Sequence, residues 1–183
     1  MILSIDTSTP FLVLGLWDGQ SGAALALEDI KEVGRAHAEE LPQAVTRLYQ
    51  QSGRPPGATV LAIGTGPGSY TGLRVGTSYA LGCARAWNAD VVGVSSLEGV
   101  AARAQGTVAV SADARRGQVY GAVYQVHEGL VTEVLDPPRK QPTDEFASLA
   151  RGLTWLRDEA PSGIALARLA AARGQPHWQL EYS

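Results

Sequence analysis

Two aspartates occupy matching places in this chain. Asp6 closes a short apolar strand in Ile2-Leu3-Ser4-Ile5-Asp6, and Asp113 closes another in Val110-Ser111-Ala112-Asp113. Carboxylates at two strand ends, facing each other across a cleft, can hold Mg²⁺ through water beside the phosphates of a nucleotide. Thr7 and Ser8, directly after Asp6, would line those phosphates with hydroxyls and backbone N–H groups. The alternative is that each aspartate caps its own turn. The second half of the chain has no glycine-rich segment for an adenosine, so the nucleotide reading lacks its other wall.

The run Gly64-Thr65-Gly66-Pro67-Gly68-Ser69-Tyr70-Thr71-Gly72 stands between a strand and a helix, the context in which a helix N-terminus collects anions. It lacks the Gly-Lys-Ser/Thr ending of a P-loop, and Ser69 breaks the Gly-x-Gly-x-x-Gly spacing of a dinucleotide site. Tight turning and close backbone packing are the reading we favour. Histidine chemistry is thin, because His37, His127 and His177 are far apart and none stands four residues from another ligand. The single cysteine, Cys83, excludes a disulfide framework and a cysteine-based zinc site within the chain. No cofactor and no metal is expected. Arg115-Arg116 sit in a turn, either as a solvated tip or as a contact for an anion or a partner.

The elements that must carry these residues follow from pattern. Strands are expected at Met1 to Ile5, Phe11 to Trp17 and Ala23 to Glu28, with Asp18-Gly19 as a hairpin turn signal. A helix follows with Leu41, Ala44, Val45 and Leu48 on one face and Pro42 in its first turn. Then come a strand at Val60 to Gly64, a long helix from about Thr71 to Trp87, and a strand at Asp90 to Val94. The order βββαβαβ predicts a mixed sheet covered by helices. The pattern then restarts with strands at Thr107 to Ala112, Val119 to Val126 and Leu130 to Leu135. After Pro137-Pro138 two helical segments remain, Thr143 to Arg151 and Ser162 to Arg173. This reads as an internal duplication with a shortened second copy. The lobes would be 1–104 and 105–183, divided in or just after a helix at Ser96 to Ala104.

Composition narrows the function. With 45% hydrophobic and 18% charged residues over 183 positions, the chain can bury a core and is not disordered. A net charge of −3 argues against holding nucleic acid mainly by neutralising phosphates. Asp6 falls where a signal peptide would be apolar, and no stretch is long enough to span a bilayer, so a cytoplasmic protein without membrane contact is expected.

The long helix is the most informative segment. Gly72, Gly76, Ala80 and Ala84 recur every four residues, and no charge separates Arg74 from Arg85. A helix without a solvated face is buried on both sides. Either the chain's own second lobe or a loop covers the far side, or a subunit does. The subunit reading places the interface on Leu41, Val45, Leu48, Gly72, Leu73, Gly76, Tyr79, Ala80 and Ala84.

Four segments together carry a resemblance. They are Ile2-Leu3-Ser4-Ile5-Asp6-Thr7-Ser8, His37-Ala38-Glu39-Glu40-Leu41-Pro42, Gly66-Pro67-Gly68-Ser69-Tyr70-Thr71-Gly72-Leu73-Arg74-Val75-Gly76 and Asp113-Ala114-Arg115-Arg116-Gly117-Gln118-Val119-Tyr120. Over about residues 1 to 125 the chain resembles the TsaB (YeaZ) family. The resemblance implies an actin-like, ribonuclease H-like α/β fold. It also implies a role in making threonylcarbamoyladenosine beside the anticodon of tRNAs that read codons beginning with A. Such a protein would be a non-catalytic subunit that binds and supports a TsaD-type catalytic paralogue, joined by a TsaE-type ATPase. tRNA would be met only through the complex, and the chain alone would be a homodimer. Catalytic relatives carry His-x-x-x-His after the strand corresponding to Asp90 to Val94. The aligned places here are Ser96 and Val100, and neither residue type replaces a histidine as a ligand. The segment Pro176-His177-Trp178-Gln179-Leu180 is a degenerate form of the family's Pro-x-Tyr-Leu-Arg tail. Two other classes remain open: an independent actin-like phosphotransferase or peptidase, and a self-contained homodimeric binding protein.

Overall fold

A computed structural model describes residues 1–19 and 24–182. The first sheet is built from β1 (Ile2–Asp6), β2 (Phe11–Asp18), β3 (Leu25–Glu32), β4 (Val60–Gly64) and β5 (Asp90–Val94), in the order β3-β2-β1-β4-β5. β1 pairs antiparallel with β2 and parallel with β4. β1 is buried along its whole length, so it is apolar on both faces except at Ser4 and Asp6. β3 lies at the edge, and its Leu-Ala-Leu-Glu start alternates between half-buried and exposed.

Helix α1 (His37–Ser52) leads into β4, and α2 (Tyr70–Trp87) leads from β4 to β5. The short α3 (Ser96–Ala101) then opens a second round of β6 (Gly106–Asp113), β7 (Gln118–His127), β8 (Leu130–Pro142), α4 (Thr143–Leu149), β9 (Thr154–Arg157) and α5 (Gly163–Arg173). The second sheet runs β8-β7-β6-β9, with β6 antiparallel to β7 and parallel to β9. Each strand and helix of β1-β2-β3-α1-β4-α2 thus has a counterpart in β6-β7-β8-α4-β9-α5. The duplication is real, and its second copy lacks a counterpart of β5.

Three apolar clusters hold the layers. Leu3, Ile5, Leu14, Leu41, Leu48, Leu61 and Ala80 join one face of the first sheet to α1 and α2. Between the sheets, α3 and α5 pack with Ile2, Ala62, Val108, Val110 and Tyr124. Phe146 of α4 fills the outer face of the second sheet with Ala109, Val119 and Val123. The N-terminus of α5 presses on the first sheet so closely that a Cβ on Gly163 would lie 2.4 Å from the Leu14 carbonyl oxygen.

Several boundaries differ from expectation. β9 was not anticipated, because four residues of Thr-Trp-Leu-Arg carry too short a pattern to separate from the flanking helices. β8 runs on through Pro137 and Pro138 instead of ending at Leu135, which an edge strand tolerates because its outer N–H groups need no partner. The third strand extends to Glu32, and its expected start at Ala23 lies outside the described residues. α1 starts at His37, so Pro42 sits a turn deeper than its first turn. α3 stops at Ala101, three residues short of the expected end. No described helix is long and apolar enough to cross a membrane.

Candidate functional site

The turn after β1 is an interlocked polar cluster. Asp6 is 1% exposed, and its Oδ1 accepts from Ser8 N at 2.8 Å and Ser8 Oγ at 2.6 Å. Its Oδ2 accepts from Ser96 Oγ, which in turn accepts from Gly66 N at 3.1 Å. Gly64 makes room for that carboxylate, since a Cβ there would lie 1.8 Å from Asp6 Oδ2. Thr7 Oγ1 donates to the Gly72 carbonyl at 2.7 Å and so ties the turn to the start of α2. Asp113 behaves differently. It is exposed, accepts from Arg115 N at 2.9 Å, and its own N–H donates to Asp158 Oδ1 at 2.7 Å. Among the described residues no hydrogen bond joins it to Asp6, Thr7 or Ser8. Both aspartates cap turns.

Most N–H groups of the glycine run are spent inside the chain. Gly66 N donates to Ser96 Oγ, Gly68 N to the Glu181 carbonyl at 3.1 Å, Ser69 N to the Ser8 carbonyl at 2.8 Å and Gly72 N to Ser69 Oγ at 3.3 Å. The C-terminal segment is therefore part of this site, which the sequence did not reveal. Glu181 N donates to the Thr65 carbonyl at 2.8 Å, and Gln175 exchanges backbone hydrogen bonds with Gly93 on edge strand β5. Trp178 sits against Gly93, where a Cβ would lie 2.5 Å from Trp178 Cβ. The packing reading of the glycines holds: close backbone approach is what they allow.

Helix α2 has two unlike faces, and here the structure corrects the expected interface. Gly72, Gly76, Ala80 and Ala84 point into the chain's own core. A Cβ on Gly72 would meet Thr7 O at 2.1 Å, and one on Gly76 would meet Thr7 Oγ1 at 2.3 Å. The smooth stripe exists so that α2 can lie on β1. Leu73 is 1% exposed, and Leu41, Val45 and Leu48 of α1 are buried in the same cluster. Of the nine residues expected at a partner surface, only Tyr79 is partly exposed. Burial raises its phenol to about 12, with Cys83 adding to the shift, so it stays uncharged. The outward face carries Thr71, Arg74, Ser78, Leu81, Gly82 and Arg85, all exposed. It is this face that has no charge between the two arginines. Ala38, Leu41, Tyr70, Arg74, Val75 and Tyr79 line a groove between α1 and α2. Gly82 has open space around it, with nothing within 4 Å of a Cβ position.

The chain has known relatives. Residues 31–181 match the family model described as TsaD, tRNA N6-adenosine threonylcarbamoyltransferase. The tRNA threonylcarbamoyladenosine biosynthesis protein TsaB of Escherichia coli is 37% identical over 90% of this chain and 78% of its own length. The chain belongs to the TsaB/YeaZ family. The Bacillus subtilis TsaB is 34% identical over 86% of this chain and 66% of its own length. An uncharacterized Mycobacterium leprae protein matches at 34% over 79% of this chain, which spans 40% of that protein. YeaZ from Pseudomonas aeruginosa superimposes with a TM-score of 0.77 at 25% identity, covering 95% of this chain and 94% of that one. The fold is the actin-like, ribonuclease H-like one.

Ser96 and Val100, the two positions expected to match the histidines of catalytic relatives, are spent on structure. Ser96 is 2% exposed and bonded to Asp6, and Val100 is 4% exposed in the core between the sheets. A hydroxyl that donates to a buried carboxylate and an apolar side chain do not fit a metal ion. His37, the start of the second family segment, is buried with Nε2 3.2 Å from the Phe11 carbonyl. Close by in α3, burial raises the Glu98 carboxyl above the usual glutamate range, and its ion pair with Arg173 pulls it part of the way back.

Proposed function

We propose that this chain serves tRNA threonylcarbamoyladenosine synthesis as a non-catalytic subunit that docks to a TsaD-type catalytic paralogue, with a TsaE-type ATPase joining the pair. The observation that carries the reading is the fate of Asp6, Ser96 and Val100. The carboxylate, the hydroxyl and the apolar side chain stand where catalytic relatives need a nucleotide and metal site, and all three are buried in internal contacts. An independent phosphotransferase or metallopeptidase would need those groups free.

The docking surface in this proposal is the outward face of α2 from Ser78 to Gly82, flanked by Val75 and Tyr79, not the small-residue stripe beneath it. An exposed mid-helix glycine weakens a helix by roughly 1 kcal/mol relative to alanine. The glycines of the inner stripe have a neighbour that demands them, and Gly82 has none among the described residues. A second backbone crossing close over Gly82 supplies the reason. Leu81 beside it is 47% exposed, an apolar side chain that a partner would cover. The same face would pair two copies of the chain when the paralogue is absent, so the two assemblies would compete. The test is reconstitution of tRNA modification from TsaC-, TsaD- and TsaE-type proteins, with wild-type chain, with Leu81→Arg, or without either. Wild type should restore modification and Leu81→Arg should not, although the variant remains folded. Full modification without the chain would overturn the reading.

A further inference from the structure

A row of three tyrosines with a cation at each end crosses the surface from the second sheet to the start of α2. Lys140 Nζ of β8 lies 5.8 Å from the ring centre of Tyr120 on β7. The Tyr120 hydroxyl donates to the Tyr182 carbonyl at 3.0 Å. The Tyr182 ring packs on Tyr70 with centroids 4.7 Å apart, and Arg74 Cζ stands 5.2 Å from the Tyr70 ring centre. Tyr70 is 52% and Tyr182 42% exposed, so both rings keep surface free for a further planar group. Arg115 and Arg116 form the tip of the hairpin that carries Tyr120. They hold φ values of 63° and 55°, a left-handed conformation that glycine and asparagine adopt more readily. Strained backbone of this kind collects at binding sites.

Among the described residues, Arg74, Arg115, Arg116 and Lys140 are in no salt bridge, and neither are Arg35, Arg85 and Arg151 elsewhere on the surface. What sets Arg74 and Lys140 apart is their place against tyrosine rings. We infer that the row formed by Lys140, Tyr120, Tyr182, Tyr70 and Arg74 is a docking surface for single-stranded RNA, with bases stacked on the tyrosines and phosphates held by the flanking cations. Bases stack on aromatic rings in any sequence, and cations set alongside them follow the backbone. The choice of RNA over DNA rests on the proposed role in tRNA modification. Asp113 and Glu181 bring acidic groups near the row, so binding is weak and salt-sensitive rather than tight.

Fluorescence anisotropy of the full chain tests this, with a labelled, unstructured RNA of about twelve nucleotides, its duplex, and DNA of the same sequence. The single-stranded RNA should bind at low salt better than its duplex, with DNA of the same sequence showing how much of the binding is stacking and phosphate contact alone. Joint replacement Tyr70→Ala with Tyr182→Ala should weaken binding at least about five-fold. Arg74→Gln should flatten the salt dependence by about 0.7 in log–log slope, one phosphate contact on a single strand. All three side chains are exposed, and circular dichroism checks that the variants stay folded. Undetectable RNA binding, equal binding of the duplex, or an unaffected tyrosine double variant would overturn the proposal. So would a double variant that loses capture of the TsaD-type paralogue while its RNA binding is unchanged, since the row would then be a protein contact. None of those results alters the Leu81→Arg reconstitution, which judges the functional reading separately.

Discussion

Helices α2 and α5 stand at the same place in the two repeats, each following the fourth strand of its own set. α5 is wedged between the sheets, with Gly163 against Leu14 and Gly15 and with Leu166, Ala167 and Leu169 buried. α2 lies on the outside of the first sheet, with a buried inner stripe and an outer face that is exposed among the described residues. Equal topology therefore gives one helix a structural duty and leaves the other a free surface. The contrast also separates two kinds of glycine. Gly72, Gly76 and Gly163 stand where a Cβ would strike backbone or a buried hydroxyl, whereas Gly82 stands in the open.

The sharpest test sets two adjacent residues of α2 against each other. Ala80 is fully buried, so Ala80→Arg places an unpaired charge in the core and should cost about 4 kcal/mol or more, seen as loss of the cooperative unfolding transition. Leu81→Arg should change stability by less than about 0.5 kcal/mol while abolishing partner capture. Ala167→Arg in α5 should behave like Ala80→Arg. If Ala80→Arg unfolded like wild type in urea, the inner and outer faces would be misassigned.

The two turn aspartates offer a second contrast between the repeats. Asp6→Ala strands three donors in a buried site and should destabilise by about 2–4 kcal/mol. Asp113→Ala, in an exposed turn, should cost under about 1 kcal/mol. Chemical denaturation of both variants decides it. Calorimetric titration with Mg-ATP should give no binding heat, because the hydrogen-bonding groups around Asp6 are already engaged. A saturable heat lost in Asp6→Ala would show that the turn still works as a nucleotide site.

A smaller effect concerns the ion pair that links α3 to α5. The Glu98 carboxyl is raised above its ordinary 4.5, first by burial, with Arg173 opposing. The folded state thus holds this proton more tightly than the unfolded state does. The group's contribution to stability is complete below 4.5 and is lost as pH rises through the folded value. Arg173→Ala removes the opposing charge, so it should cost about 1–2 kcal/mol at neutral pH. The cost should shrink towards pH 4, where Glu98 is protonated. Stability curves of both proteins across that range are the measurement. The smallest expected effect has the opposite sign. Gly82→Ala should raise stability by about 0.5–1 kcal/mol and weaken the partner complex, since the added methyl helps the helix and obstructs a crossing backbone.

Much of the architecture was legible in the sequence because its signals are local. Strands β1, β2 and β4, the α2 helix and the repeat that restarts with β6 all follow from apolar runs and turn residues. The short β9 and the run of β8 through two prolines were not legible, since neighbouring strands hold them in place and their own pattern does not. Asp6 and Ser96 lie 90 residues apart, and nothing in either segment announces that the Ser96 hydroxyl donates to the Asp6 carboxylate. The C-terminal segment bore only a weak motif, and its docking on Gly68 and Gly93 appeared only with the backbone geometry.

The small-residue stripe of α2 carries the same lesson about what a sequence contains. Spacing every four residues places Gly72, Gly76, Ala80 and Ala84 on one side of a helix, and a missing charge marks the stretch between Arg74 and Arg85. Both facts are properties of a single segment, and both stand. Which side meets the chain's own sheet depends on how β1 and α1 approach that helix, a relation among segments distant in sequence. Thr7 claims the glycines of the stripe by close contact, through its carbonyl at Gly72 and its hydroxyl at Gly76, and the outer face, uncharged between Arg74 and Arg85, is left to water or to another molecule.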